Sequence, residues 1–224
     1  MRLQIALALA IISLQAHSLE LKGYVRVIDG DTVELNGETI RLAGIDAPEI
    51  NQKCKNIRGK NYPCGAQVAD KLKLITTGQE VVCQSEKRGF YGRLLGICYL
   101  SDVNLNQKFV REGDAVAFLK YSNMFKVEEQ SAREAKRGIW AGTFIRPAEF
   151  RADKFTAAKV EASLDSPDPN CLIKGNINSK AVKIYHTPWA SRHYKRTKIN
   201  TSKGERWFCD EAEAVAAGWR QPYR

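Results

Sequence analysis

One stretch, residues 27–49 (V-I-D-G-D-T-V-E-L-N-G-E-T-I-R-L-A-G-I-D-A-P-E), constrains this chain more than any other. Alternating apolar residues flank Asn36-Gly37, the dipeptide that favours a two-residue type I′ hairpin turn. With that dipeptide as the loop, Leu35 pairs with Glu38, Val33 with Ile40 and Thr32 with Arg41. Asp29 and Asp31 then fall at the same end of the hairpin as Arg41, Asp46 and Glu49. Strict pairing leaves Asp31 and Arg41 one residue out of step, so a bulge or strong twist is required.

Carboxylates gathered on turns suit a hard divalent cation such as Ca²⁺, which takes oxygen ligands in loose geometry. Pro48 pushes Ala47 out of the helical region, which lets its carbonyl face the same ion. Arg41 lies in an otherwise apolar run (Ile40, Leu42, Ala43, Gly44, Ile45), where a cation is costly without an anion. Ordinary turn chemistry, with Arg41 paired to Glu49, accounts for the same residues. Spacing alone leaves both readings open.

Histidine narrows the chemistry. Of the 3 histidines, His17 lies near the N-terminus and His186 and His193 in the last 40 or so residues. The stretch that carries the carboxylates therefore has no histidine to serve a triad or a histidine–metal site. Any general base in that stretch would have to be a carboxylate.

Three motifs in order, I-D-G-D-T, R-L-x-G-I-D-A-P-E and Y-G-R (Tyr91, Gly92, Arg93), resemble the staphylococcal nuclease (thermonuclease) family over roughly residues 24–140. The resemblance implies a mainly β, α+β fold: a five-stranded OB-type barrel with about three helices. It implies an endonuclease that uses Ca²⁺ to hydrolyse phosphodiesters of single- or double-stranded DNA and RNA, leaving 3′-phosphates. Carried over by position, Asp31, Asp46 and the Ala47 carbonyl are the metal ligands, Glu49 the general base, and Arg41 and Arg93 the phosphate-binding arginines. Tyr91 and Tyr121 fall beside the nucleotide. Two positions depart from the pattern: Phe90 stands where a lysine is common, and Leu119 where a second tyrosine is expected.

Residues 1–18 have the form of a signal peptide, with Arg2 before an apolar run and Ala16-His17-Ser18 before cleavage. That run is too short to span a bilayer as a helix, and no later stretch is apolar enough. The expectation is a secreted or periplasmic monomer. Six cysteines in an exported chain imply bridges. Six permit 15 connectivities, and local arrangement favours Cys54–Cys64, Cys83–Cys98 and Cys171–Cys209. A zinc site from Cys171, His186, His193 and Cys209 competes, against irregular spacing and an oxidising compartment.

Helical patterns occupy residues 65–75, 104–113 and 127–137, and two strands fill residues 81–100 around Lys87-Arg88-Gly89-Phe90. Residues 19–150 form the expected nuclease domain, 151–170 a linker ending in S-P-D-P-N, and 171–224 a small disulfide-linked basic module. The chain's net charge is +10, which points to a polyanionic partner. Most of it belongs to residues 171–224, whose 11 lysines and arginines against 4 carboxylates give +7. That module could meet nucleic acid or an anionic cell envelope through Y-H-T-P-W and H-Y-K-R, or be a compact appendage with a solvated basic face. Two readings stand beside the enzyme: a non-catalytic OB-fold binder of nucleic acid, and a protein that binds the envelope or an anionic polysaccharide through its tail.

Overall fold

The computed structural model describes residues 19–89, 92–120 and 122–222, with Glu86 and Lys87 described by backbone alone. The signal-peptide reading of residues 1–18, together with Phe90, Tyr91 and Tyr121, lies outside the described residues. The chain divides into two compact units, Met1–Pro147 and Ala148–Arg224.

In the first unit, β1 (Leu19–Gly23) and β2 (Arg26–Asp29) are two parts of one strand, interrupted only at Tyr24 and Val25. A meander continues through β3 (Thr32–Leu35) and β4 (Glu38–Leu42). Asn36 and Gly37 have φ of 53° and 81°, the paired positive values of a type I′ turn. The register is Thr32↔Arg41, Val33↔Ile40 and Leu35↔Glu38, as the turn dipeptide dictates. The irregularity lies on the other side of β3, where the pairing with β2 slips between Val27 and Asp29.

After a short β5 (Ile45–Asp46) come a hairpin of β6 (Cys54–Lys55) and β7 (Asn61–Tyr62), helix α1 (Cys64–Thr76), and a long hairpin of β8 (Val81–Arg88) and β9 (Leu94–Leu100). The main sheet runs β1-β8-β9-β4-β3-β2. Its two edge strands, β1 and β2, are consecutive in sequence. The sheet therefore curls into a five-stranded OB-type barrel, with β4 and β9 as a parallel pair. Next, β10 (Val103–Asn104) extends the sheet from β9, α2 (Leu105–Arg111) follows, β11 (Val116–Ala117) pairs with β5, and α3 (Lys126–Glu134) completes the helices.

Alternation along β3, β4 and β9 sends Val33, Leu35, Ile40, Leu42, Leu94 and Cys98 inward, where they meet Val68 and Leu72 of α1 and Phe109 of α2. Each such large side chain contributes about 1.5–3 kcal/mol by leaving water. Buried Asn106 fastens α2 to the barrel. Its Oδ1 accepts from the Cys98 N–H, and its Nδ2 donates to the carbonyls of Ala43 and Gly96.

The second unit takes most of α4 (Pro147–Ser163). The linker reading of residues 151–170 is thus corrected, for residues 151–163 are helical. They contain good helix formers and no proline or glycine, and the S-P-D-P-N punctuation acts only beyond Ser163. Three strands follow, β12 (Ile173–Ile177), β13 (Lys183–His186) and β14 (Arg206–Phe208), with β12 central. The last helix, α5 (Glu211–Ala216), is capped by Asp210, whose carboxylate accepts from the Glu213 N–H while the Glu213 carboxylate accepts from the Cys209 N–H.

The disulfides are Cys54–Cys64, Cys83–Cys98 and Cys171–Cys209. The last removes the thiolates that the zinc reading required. His186 is likewise committed: it is buried, Nδ1 lies 2.7 Å from Ser191 Oγ and Nε2 lies 2.9 Å from Asn176 Oδ1. Tyr194 is buried as well, its hydroxyl donating to the Leu172 carbonyl. Two aromatic residues of the motifs that suggested a nucleic-acid surface are therefore interior groups.

Two outcomes are expected. Cys83–Cys98 closes a separation of 15 residues, so a C83A/C98A protein should lose about 3 kcal/mol of stability. The urea midpoint of the first unit should fall, with a steeper slope because the unbridged unfolded chain exposes more surface, and an unmoved midpoint would contradict the argument. Burial first, then the nearby charges of His193 and Lys174, hold the His186 imidazole below its ordinary 6.5. The unfolded chain takes up that proton near pH 6.5 while the folded unit resists it. Stability of the second unit should therefore fall as pH drops from about 6.5 toward the lower folded value. Tryptophan-monitored unfolding at pH 7.5 and pH 5 reads this, and His186→Gln should shrink the difference.

Candidate catalytic site

The hairpin positions Arg41 on β4 opposite Thr32, and the chain enters β3 from Asp31. The Leu42 N–H donates to the Asp31 carbonyl at 2.8 Å, which continues the pairing one residue past the strand. The out-of-step pair is reconciled by this geometry and by the reach of the arginine side chain. Arg41 Nη1 donates to Asp31 Oδ1 at 2.7 Å, and Nη2 donates to Asp46 Oδ1 at 2.8 Å. Asp31 Oδ1 also accepts from Thr32 Oγ1, and its Oδ2 accepts from the Ala47 N–H at 3.1 Å. Asp31, Arg41, Asp46 and Ala47 thus form one cluster. Arg41 bonds to the two aspartates, and the simple Arg41–Glu49 pairing weighed from the sequence gives way to this arrangement.

Asp31 and Asp46 are 3% and 1% exposed. Burial pushes the Asp31 carboxyl up to about 7, an effect that the Arg41 charge only partly offsets. Two desolvated carboxylates face one guanidinium. Among the described residues no group of three or more His, Cys, Asp and Glu side chains is arranged for a metal ion. The donors present are two buried carboxylates and the buried turn residue Ala47, oxygen-bearing throughout and already gathered around a cation. In type and charge that set fits a hard divalent ion, which completes its shell with carbonyls and water.

Glu49 follows in the same turn and is half-buried. Its backbone is held from two sides. The Glu49 N–H donates to Gln52 Oε1 at 3.1 Å, and the Glu49 carbonyl accepts from the Gln52 N–H at 2.7 Å. Gln52 is 1% exposed, and its Nε2 donates to the Ile145 carbonyl at 2.7 Å. At the start of α1, Gly65 passes so close that an added Cβ would lie 1.7 Å from the Glu49 carbonyl oxygen. Sequence reading missed Gln52 and Gly65. The signal available was a buried-type turn, E-I-N-Q, and a glycine beginning a helix where alanine would be the better former.

Arg93 immediately precedes β9. Arg41 is level with Leu95 across the parallel pair, so Arg41 and Arg93 stand two residues apart on adjacent strands. Side chains alternate along each strand. Inward Ile40, Leu42 and Leu94 therefore put both arginines on the outer face of the barrel wall. Tyr91 and Tyr121 lie outside the described residues.

An OB-type barrel with two arginines beside acidic turns on its outer wall is an arrangement suited to a phosphodiester, the substrate class of nucleases. Comparison with known proteins agrees. Residues 39–142 match the family described as staphylococcal nuclease homologue. The chain is 36% identical over 149 residues to an uncharacterized endonuclease of Escherichia coli O157:H7, an alignment covering 63% of this chain and 91% of that protein. It is 33% identical over 135 residues to the micrococcal nuclease of Shigella flexneri, covering 52% and 71%. A third relative, the succinoglycan biosynthesis protein ExoI of Rhizobium meliloti (strain 1021), is 34% identical over 121 residues, and the chain spans only 63% of its length. The chain belongs to the staphylococcal nuclease family and is an enzyme of the nuclease class.

Removing the shared cation tests the cluster. Arg41→Met should destabilise the first unit by about 3–5 kcal/mol in chelator, because two buried carboxylates lose their partner. Added Ca²⁺ should restore part of the lost Tm by binding the folded state. No response of the variant's Tm to Ca²⁺ would remove the metal from this site.

Proposed function

We propose that this protein is an exported, Ca²⁺-dependent endonuclease that hydrolyses DNA and RNA and leaves 3′-phosphate ends. The observation that carries the reading is the Arg41 guanidinium held between buried Asp31 and Asp46, with Glu49 on the adjoining turn and Arg93 on the same face. Asp31, Asp46 and the Ala47 carbonyl would hold the cation. When bound, the cation supplies Lewis-acid polarisation of a phosphoryl oxygen.

The chain's own residues do the rest. Glu49 takes the proton of the attacking water, and no histidine is available in the barrel to replace it. A carboxylate positioned by a fixed backbone suits that role. Arg41 uses two of its five N–H donors on Asp31 and Asp46. Those remaining, with the fork of Arg93, grip the phosphate and offset the charge it gains as the water adds. Export is supported by three disulfides, which persist in oxidising compartments, and by the leader-like residues 1–18. Among the described residues no helix is long and apolar enough to cross a membrane. The +7 of residues 171–224 supports a second contact, with long polyanions or an anionic envelope.

The deciding experiment is degradation of single-stranded DNA and RNA with and without a chelator, with end groups read by mass spectrometry. Cleavage should require the divalent cation and leave 3′-phosphates. Glu49→Gln should lower kcat by about 10²-fold or more while strand affinity is kept. Arg93→Lys should also be severe, since an ammonium lacks the planar fork. An E49Q protein that cleaves at the wild-type rate would sink the assignment of the base.

A further inference from the structure

The hairpin between Glu49 and α1 is unlike an ordinary surface loop in three respects. The first is charge. Residues 50–69 contain four cations, Lys53, Lys55, Arg58 and Lys60, and no carboxylate. All four are exposed, and among the described residues none takes part in an ion pair. Isolated cations on a surface need no explanation, but a run of four without a counter-charge is an electrostatic feature.

The second is rigidity. Cys54–Cys64 ties the first strand to the start of α1, two residues past the second strand. At the tip, Asn56 Oδ1 accepts from the N–H groups of Arg58 and Lys60 at 2.9 and 3.0 Å, and the Asn56 N–H donates to the Lys60 carbonyl. Lys55 exchanges both backbone hydrogen bonds with Thr143, at 2.8 and 3.0 Å. Gly142 lies so near that a Cβ would stand 1.9 Å from the Lys55 carbonyl. The cations are thus mounted on a framework fixed by a bridge, a side-chain-bonded turn and a strand contact. A rigid mount reduces the ordering cost that binding otherwise carries.

The third is position. Both roots of the hairpin are fastened at the Glu49 turn. Gln52 holds the Glu49 N–H at one root. At the other, the Gly65 N–H donates to the Gln52 carbonyl, and Gly65 abuts the Glu49 carbonyl. Lys53 follows Glu49 by four residues, so its backbone is at most about 14 Å away even if the chain is fully extended.

We propose that this disulfide-stapled hairpin is a phosphate-binding arm. Lys53, Lys55, Arg58 and Lys60 hold backbone phosphates of a nucleic-acid strand on one side of the phosphate that Arg41, Arg93 and Glu49 act upon. The arm reads no base. It adds affinity for a strand over a single diester and makes that affinity salt-dependent. The inference rests on the nuclease reading of the adjoining site, and its main readout, strand affinity in chelator, does not depend on turnover.

The test uses the full chain carrying K55Q/R58Q/K60Q, three exposed positions away from the cluster. Affinity for a 20-nucleotide single strand is measured in chelator, where cleavage is suppressed, across a salt series. Each phosphate contact contributes roughly 0.7 to the slope of log K against log salt for single strands. The variant should lose about 2 from that slope and bind at least about tenfold more weakly at low salt. With the cation present, kcat/KM for a nitrophenyl ester bearing one phosphodiester should stay at the wild-type value. Charge-keeping K55R/K60R should retain the wild-type slope. An unchanged slope in the glutamine variant overturns the proposal. So does an equal loss on the single diester, which would mean that the hairpin only shapes the Glu49 turn. Absence of cleavage by the wild type would sink the nuclease reading and leave the binding comparison to decide the arm.

Discussion

A single guanidinium between two buried carboxylates is the interaction on which the site and its supporting turns depend. Desolvating a carboxylate costs several kcal/mol, recovered only by close and well-directed partners. The Asp31 carboxylate has three within reach, the Arg41 Nη1, the Thr32 hydroxyl and the Ala47 N–H, while its backbone carbonyl accepts from the Leu42 N–H. These bonds join the start of β3, the end of β4 and the turn after β5 into one object. The barrel wall holds Arg41 in place, and Arg41 in turn holds the acidic turns against the wall. A cluster built this way is pre-formed, so under the proposed function little reorganisation would remain when charge develops on a substrate.

The same logic extends outward to Glu49. Its backbone is pinned by Gln52, by the close pass of Gly65 and, through the Cys54–Cys64 bridge, by the hairpin between them. A carboxylate on a free loop would lose much of its effectiveness to disorder, since misplacement by about 1 Å can cost a hundredfold in rate. Here the loop is closed twice, once by hydrogen bonds at its root and once by a covalent bridge. Exposed cations can be carried by such a loop without a nearby acid to collapse onto, because its shape is set by backbone and sulfur rather than by ion pairs.

Much of this was legible from residues. Asn36-Gly37 set the turn, the turn set the register, and the register put Thr32 opposite Arg41. The three bridges followed from local spacing. What stayed hidden has physical reasons. Strand β1 precedes the recognisable motifs, and its five residues show too short an alternation to outweigh the adjacent leader-like run. Residues 151–163 were read as linker because the proline-rich end dominated, although their composition favours helix. The hairpin of β6 and β7 leaves no signal in the sequence, since two-residue strands carry no periodicity; its partners are Thr143 and a cystine. Gln52 is invisible because its role depends on Ile145, nearly a hundred residues away. The Arg41–Asp46 bond was obscured by Glu49, an equally plausible acid three residues further on.

The second unit shows why motif composition misleads when burial is unknown. Its histidine, tyrosine and lysine suggest chemistry or a binding face, yet the fold consumes them. The Lys174 amine is buried, bonded to Asp165 and to the carbonyls of Tyr194 and Thr197. Buried Glu205 accepts from the N–H groups of Ile177 and Asn200. These groups replace the apolar core that so small a unit cannot supply in full, with one disulfide adding to them. The cations left over, among them Lys180, Arg192, Lys195, Lys198 and Lys203, are exposed. They form a surface charge, with the exposed His193 ring bonded to Arg196 among them. The proposed chemistry therefore draws on the barrel, where Arg41 meets buried Asp31 and Asp46, and the surplus charge of the second unit carries only the proposed attraction for a polyanion.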